Sequence, residues 1–391
     1  MPDYLVLLTV GALLLMALVV DVLGERTRLP RVTLLVLVGM AAGPSGFDVL
    51  PIAFNGWYPL FAIIALVMVA FLLGGRLTRQ VLAEDGLHIL GVSTGAVLVT
   101  AVLVGGGLWL LGFEPILCLV LAGISTATAP AATQDVVHRS RVTGPFARLL
   151  LGVVAIDDAW GLIVFSLLLA AGQALLGQSP AAALQIGAWE IGGALLVGLA
   201  VGLPAAYLTG RLQPGEPTQI EALGVVFLCG GLALAIDASF LLAGMVAGLI
   251  VANLARHHTR PFHEIENVEW PFLVLFFVLA GASVDLAALP KIGAIGGAYL
   301  VLRAAGRIIG GWLGGAATGL APRQRRWIGV ALMPQAGVSL GMALVAATAF
   351  PAMRAEILAT AIGTTIVFEL VGPLMTQWAL TRAGRNEDRA D

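Results

Sequence analysis

Two adjacent carboxylates, Asp157 and Asp158, fall inside an apolar run from Phe146 to Gly172. A charge at the centre of a hydrocarbon layer costs about 2.5–3.5 kcal/mol even on insertion scales, so intramembrane carboxylates persist where they are used. The chemistry open to such a group is simple: it can hold a small cation or a proton, but not both. Na+ needs oxygen ligands in place of its water shell, which hydroxyls and unwound backbone carbonyls can add to the carboxylate. A proton needs the carboxylate alone. Successive helix positions point about 100° apart, so the two aspartates are expected to do different jobs.

A second apolar run, 292–319, carries Arg303 and Arg307 one turn apart on one helical face. At 1.5 Å per residue the aspartates lie roughly 17–18 Å into their run and the arginines about 17 and 23 Å into theirs, so the depths match. Either arginine can partner an aspartate. A permanent ion pair that only fastens two helices would account for one Asp and one Arg. Two further runs are interrupted, by Ser125-Thr126-Ala127-Thr128-Ala129-Pro130 and by Met333-Pro334-Gln335-Ala336-Gly337. Proline removes an amide donor and disfavours helix just before it, which would leave carbonyls free to face a cavity. A plain kink is the simpler alternative. Glu369, mid-run ahead of Gly372-Pro373, and Gln335 are possible accessory groups. Glu190, Asp135, Asp237 and Asp285 sit nearer run ends and read as solvated or capping, and all five histidines fall on one side.

The elements that must position these groups are membrane helices. The chain has 391 residues, 59% hydrophobic and 11% charged, with a mean hydropathy of +0.98. That composition excludes an ordinary soluble domain. The net charge of -2 comes with arginines scattered over loops, so no nucleic-acid surface is expected. Cys118 and Cys229 lie in apolar runs and read as small buried hydrophobes. Crossing about 30 Å of hydrocarbon takes roughly 20 apolar residues, and cutting the chain at its charged and Pro/Gly-rich breaks predicts an all-α polytopic protein of thirteen spans. They are 4–23, 32–47, 58–75, 87–111, 115–134, 146–172, 183–209, 219–236, 240–255, 270–286, 292–319, 327–349 and 356–380. The first reads as a retained span, since no basic segment precedes it.

Basic residues test this division, because they concentrate on cytoplasmic loops. Only Lys291 and Arg354 fall on one side; apart from Arg303 and Arg307 inside span 11, all other basic residues fall on the opposite side. The amino terminus is therefore expected outside and the carboxyl terminus in the cytoplasm of a cell membrane. Spans 4–6 and 11–13 are offset by an odd number, so a repeat relating them is inverted, with the two interrupted spans as its middle members. Inverted repeats with midplane sites between broken helices are a common plan of secondary transporters.

At this point the residues resemble a family. Ala155-Ile156-Asp157-Asp158-Ala159-Trp160-Gly161-Leu162 is similar to the double-aspartate signature of the cation/proton antiporter superfamily, the bacterial sodium/proton exchangers. Leu29-Pro30 through Gly39 and Gly43-Pro44, and Phe276-Phe277 through Asp285, resemble other segments of that family. The resemblance implies a core of two repeats, residues 87–173 and 291–381, holding the broken spans 115–134 and 327–349 and the Asp-Asp span 146–172. It also implies scaffold spans at 1–86, a linker helix at 174–209, further scaffold and dimerisation spans at 210–290 and a cytoplasmic tail at 382–391, in a homodimer. Asp158 would carry the metal ion or proton, Asp157 would face a basic residue, and Thr126 and Thr128 would lie at the unwound segment. Arg307-x-x-Gly310-x-x-x-Gly314 resembles the family's pattern for that basic residue and favours Arg307 over Arg303. Lysine is typical there; arginine effectively keeps its proton, which favours one-for-one exchange.

The function implied is exchange of Na+ or Li+ for H+ by alternating access, with no cofactor beyond the transported cation and the bilayer. K+/H+ exchange and a sodium-coupled organic-anion carrier are rivals of the same class. An intramembrane enzyme is disfavoured by the peripheral histidines and the lack of a Ser/Lys pair. A channel is disfavoured by a site that would hold its ion with a full buried charge.

Overall fold

The computed structural model describes residues 3–27, 31–44, 46–50, 58–140, 142, 144–177, 181–209, 218–255, 259–282, 293–335 and 337–384; the side chain of Asp158 lies outside that description. Fifteen α-helices occur among the described residues: α1 (Asp3–Thr27), α2 (Arg31–Ala42), α3 (Tyr58–Arg76), α4 (Arg79–Leu110), α5 (Pro115–Ile124), α6 (Pro130–Ser140), α7 (Pro145–Leu175), α8 (Ala181–Thr209), α9 (Thr218–Ala235), α10 (Phe240–Leu254), α11 (Thr259–Ala282), α12 (Gly293–Ala317), α13 (Pro322–Ala331), α14 (Gly337–Ala349) and α15 (Arg354–Gly384). A single 3-10 turn at Pro351–Met353 precedes α15. Five helices among the described residues are long and apolar enough to cross a membrane, by length and composition: those over Tyr4–Gly24, Arg79–Leu110, Gly187–Leu208, Pro261–Ala282 and Pro351–Ala383.

Both interrupted runs are separate half-helices. Glu114 accepts the Leu117 amide at 3.0 Å and starts α5 with Pro115 in the first turn. α5 ends at Ile124, and Pro130 opens α6. Proline has no amide to satisfy at a helix start, so it both ends the unwound stretch and begins the next helix. The same device opens α13 at Pro322. α6 runs on to Ser140, past the expected end at 134, and is buried along its first eight residues. Asp135 is therefore only 3% exposed, which corrects its reading as a solvated end group.

Several starts lie earlier than hydropathy suggested. α4 begins at Arg79, where the Thr78 hydroxyl accepts the Val81 amide at 3.3 Å. α11 begins at Thr259 and carries Pro271 inside it. Its first turns are charged, but Phe262 stacks on Phe71 of α3 at 5.0 Å and Ile265 is fully buried.

The chain divides into two compact units, Met1–Gly75 with Ala194–Ala287, and Arg76–Gly193 with Ala288–Asp391. In the first, α2 and α11 meet backbone to backbone: a Cβ on Gly43 would fall 2.7 Å from the Ala282 Cα, and Gly39 and Gly281 are closed in by the Val278 and Val36 carbonyls. Asp237, at φ 54, makes the turn from α9 towards Ser239, which caps α10. Aspartate tolerates this left-handed conformation through its short polar side chain.

The second unit holds both broken helices, and its tightest seam joins α4 to α12. A Cβ on Gly306 would lie 2.6 Å from the Thr100 Cα, and one on Gly95 2.6 Å from the Gly310 carbonyl oxygen; Gly314 abuts the Gly91 carbonyl. Small residues let helix backbones approach where no hydrophobic force pulls them together. α15 closes on the second break the same way, with Gly372 against Pro334 and the Thr376 hydroxyl donating to the Ala331 carbonyl at 2.9 Å. Trp327 of α13 meets Trp378 of α15 edge-on at 4.7 Å, and Arg323 donates to the Arg382 carbonyl.

Candidate functional site

The α4–α12 seam fixes the height at which α12 presents its arginines. Arg303 and Arg307 are both fully buried, among the largest side chains in the interior. The Arg307 guanidinium reaches Asp157 of α7, its Nη1 donating to Oδ2 at 2.7 Å. Its Nη2 donates to the Thr126 carbonyl in the first break. The other carboxylate oxygen of Asp157 accepts from the Ser93 hydroxyl of α4 at 2.5 Å. Both oxygens of this carboxylate, which is itself fully buried, are thus engaged by donors from two other helices.

Arg303 does something different. It donates to the Ser125, Ala127 and Met333 carbonyls at 2.9–3.1 Å, and its guanidinium lies 4.3 Å from the centre of the Phe368 ring. Gln335 of the second break reaches back to the Ile124 carbonyl at 3.4 Å and to the Tyr299 hydroxyl at 3.0 Å. Four consecutive carbonyls, 124 to 127, therefore accept from side chains of α12 or of the second break. The expectation that unwinding leaves these carbonyls free to face a cavity is corrected by this arrangement. Orphaned acceptors in a dry interior cost too much to leave unpaired, and guanidinium forks supply the donors.

The remaining predicted residues are placed as follows. Thr126 is buried and its hydroxyl donates to the Gly123 carbonyl at 2.7 Å. Thr128 is 1% exposed, with a hydroxyl that has no hydrogen-bond partner among the described residues. Gln335 keeps a buried amide oxygen in the same condition. Glu369 is 8% exposed in α15, next to Phe368. Asp158 follows Asp157 in α7, its side chain outside the described residues, and Asp285 also lies outside them. Among the described residues no group of three or more His, Cys, Asp or Glu is placed to hold a metal ion. Sequence reasoning missed Ser93, and with it Tyr299 and Phe368. For Ser93 a signal existed in its position, between Gly91 and Gly95 in a helix whose small residues match those of α12.

The arrangement is a buried carboxylate paired with a guanidinium, a second carboxylate next to it in sequence, and two helix breaks tied together by Arg303. Known proteins share this fold and family. The structure is similar to that of the sodium proton antiporter MjNhaP1 from Methanocaldococcus jannaschii at pH 8, with a TM-score of 0.70, 19% identity and coverage of 100% of this chain and 98% of that one. An electron-microscopy structure of the same antiporter gives a TM-score of 0.79 at 19% identity, covering 98% of each chain. The sequence is 25% identical over 374 residues to the ammonium/H+ antiporter subunit AmhT of Alkalihalophilus pseudofirmus, covering 93% of this chain and 92% of that protein. It is 22% identical over 397 residues to the K+/H+ antiporter subunit KhtU of Bacillus subtilis, covering 96% and 93%. The family model described as sodium/hydrogen exchanger, transmembrane, matches residues 11–382, so the chain belongs to that family of multi-pass membrane proteins.

Proposed function

We propose that the protein exchanges a monovalent cation for H+ across a cell membrane by alternating access, with the two substrates competing for Asp158. The observation that carries this reading is the double engagement of Asp157 by Arg307 and Ser93. A carboxylate held on both oxygens is a fixed counter-charge, and the exchange falls to the next residue of α7. Arginine does not release its proton in proteins, so the pair stays charged through the cycle and one cation is exchanged for one proton. Na+ or Li+ is the cargo of this reading.

The same reading takes α5 with α6 and α13 with α14 as two broken spans, which makes the fifteen α-helices thirteen crossings. The unit that holds the site would be the body that moves, and the unit built on α1–α3 and α9–α11 the scaffold and homodimer contact. The amino terminus would face outside and the carboxyl terminus the cytoplasm, in a bacterial inner membrane.

A second cargo, K+ or ammonium, is favoured by one observation. With carbonyls 124 to 127 already accepting hydrogen bonds, few oxygens remain to strip the tightly held shell of Na+. A weakly hydrated cation demands less, and two sequence relatives that match nearly end to end are named for ammonium and K+. Proteoliposomes loaded with a pH dye test both cargoes: with each cation added in turn, the transported one should drive proton efflux from the parent protein, and none should do so from Asp158→Asn. Absence of efflux with Na+, Li+, K+ and ammonium alike would sink the reading.

A further inference from the structure

Arg303 has no task in the exchange just described, yet it is fully buried and every nitrogen of its guanidinium is used. Nε donates to the Ser125 carbonyl at 3.1 Å, one terminal nitrogen to Ala127 at 2.9 Å and the other to Met333 at 2.9 Å. Phe368 stacks against it 4.3 Å from the ring centre. Two of these carbonyls belong to the break between α5 and α6 and the third to the break between α13 and α14. A single charge is thus shared by two breaks that lie far apart in sequence. Unwound carbonyls converging on a point, with an aromatic face beside them, are the surroundings in which membrane transporters hold a dehydrated monovalent cation.

We infer that Arg303 is a resident cation. It fills the oxygen cradle between the two breaks with a charge carried on the chain itself. Two consequences follow for the site described above. The cradle is closed to a transported ion, which confines cargo to Asp158. The two breaks are also tied to α12 and to each other, so they move as one body. Because a guanidinium keeps its proton across the neutral range, the cradle stays filled through the transport cycle. The inference rests on the proposed exchange only for what the cradle excludes. That a cation fills it is a separate matter of binding.

The test is therefore read without transport. Purified Arg303→Ala protein is melted in detergent with millimolar guanidinium, K+ or Na+, and with choline as a control for ionic strength. Removing the side chain leaves three buried carbonyls and a gap of guanidinium size, and a ligand that binds only the folded state raises the melting temperature. The expected result is a melting temperature several degrees below the parent, largely restored by guanidinium, less by K+ and not by choline, with the parent unmoved. Arg303→Gln, which brings an amide but no charge, repeats the test should the alanine variant not be recovered from the membrane. Arg303→Lys, with its own charge, should be recovered and be insensitive to added guanidinium. An alanine or glutamine variant that melts with the parent overturns the inference, as does guanidinium acting equally on parent and variant. Loss of the lysine variant along with the other two also overturns it, because charge would then not be what the cradle requires. Cation rescue of melting together with an active Asp158→Asn protein would leave the resident cation standing and remove the exchange reading instead.

Discussion

Ser93 donates its hydroxyl to Asp157 Oδ1 at 2.5 Å, from a helix that shares no sequence motif with the aspartate. The contact closes the one oxygen that Arg307 leaves open. Taking the hydroxyl away strands a buried acceptor, which costs about 1–3 kcal/mol. Ser93→Ala should therefore fold, melt several degrees lower and exchange several-fold more slowly with the same order of preferred cations. Melting curves and dye-reported proton efflux check this, and a variant as stable and as fast as the parent would show the hydroxyl to be idle.

Arg307 and Asp157 form a pair with neither side exposed. Breaking such a pair from one side leaves an uncompensated buried charge and costs about 3–5 kcal/mol. Arg307→Ala and Asp157→Leu should each be strongly destabilised, whereas the double variant should lose less than the sum of the two. Thermal denaturation of all four proteins measures the coupling, and strict additivity would mean the pair is not coupled.

The α4–α12 seam predicts the effect of a substitution less than one turn from Arg307. A Cβ on Gly310 would meet the Ala96 Cα at 2.8 Å. Gly310→Val should push α12 away from α4, costing about 1–3 kcal/mol as overpacking does, and should draw Arg307 off Asp157 enough to slow exchange. Gly297→Ala, on the same helix where a Cβ meets nothing within 4 Å, is the matched control and should behave as the parent.

If cation and proton compete for Asp158 as proposed, acid acts as a competitive inhibitor: apparent cation affinity should fall with pH, by up to about tenfold per pH unit, while the maximal rate holds. Initial rates over a matrix of cation concentration and pH distinguish this from inhibition that lowers the maximal rate alone.

The proposed one-for-one exchange moves no net charge. An imposed potential of about 100 mV biases the movement of one elementary charge by about 2.3 kcal/mol. Proton efflux with and without that potential should be equal, and a rate that follows its sign would show unequal stoichiometry.

The site was unevenly legible in the sequence. Charges at matching depth in two apolar runs have few possible partners, which brought Asp157 together with the arginines. Depth alone pointed as well to Arg303 as to Arg307; only the likeness of the glycine spacing after Arg307 to the family's pattern carried the distinction, and the structure shows those glycines in the seam with α4. The breaks were visible as prolines, but the occupancy of their carbonyls was not, since backbone oxygens carry no letter in a sequence. Ser93 was hidden for a related reason: a hydroxyl among small residues has neither charge nor period to mark it. The start of α11 was missed because His263, Glu264, Glu266 and Glu269 suppress hydropathy there, while Phe262 and Ile265 pack it.

Along α4 and α12 the facing positions are hydrogens, while Leu82, Leu87, Leu90, Leu98 and Val102 on α4 stand exposed. The outward residues can drift, since a lengthened or shortened side chain there finds a yielding neighbour. The glycines have no such slack: a single methyl becomes a displacement of a whole rod and of the guanidinium forks mounted on it.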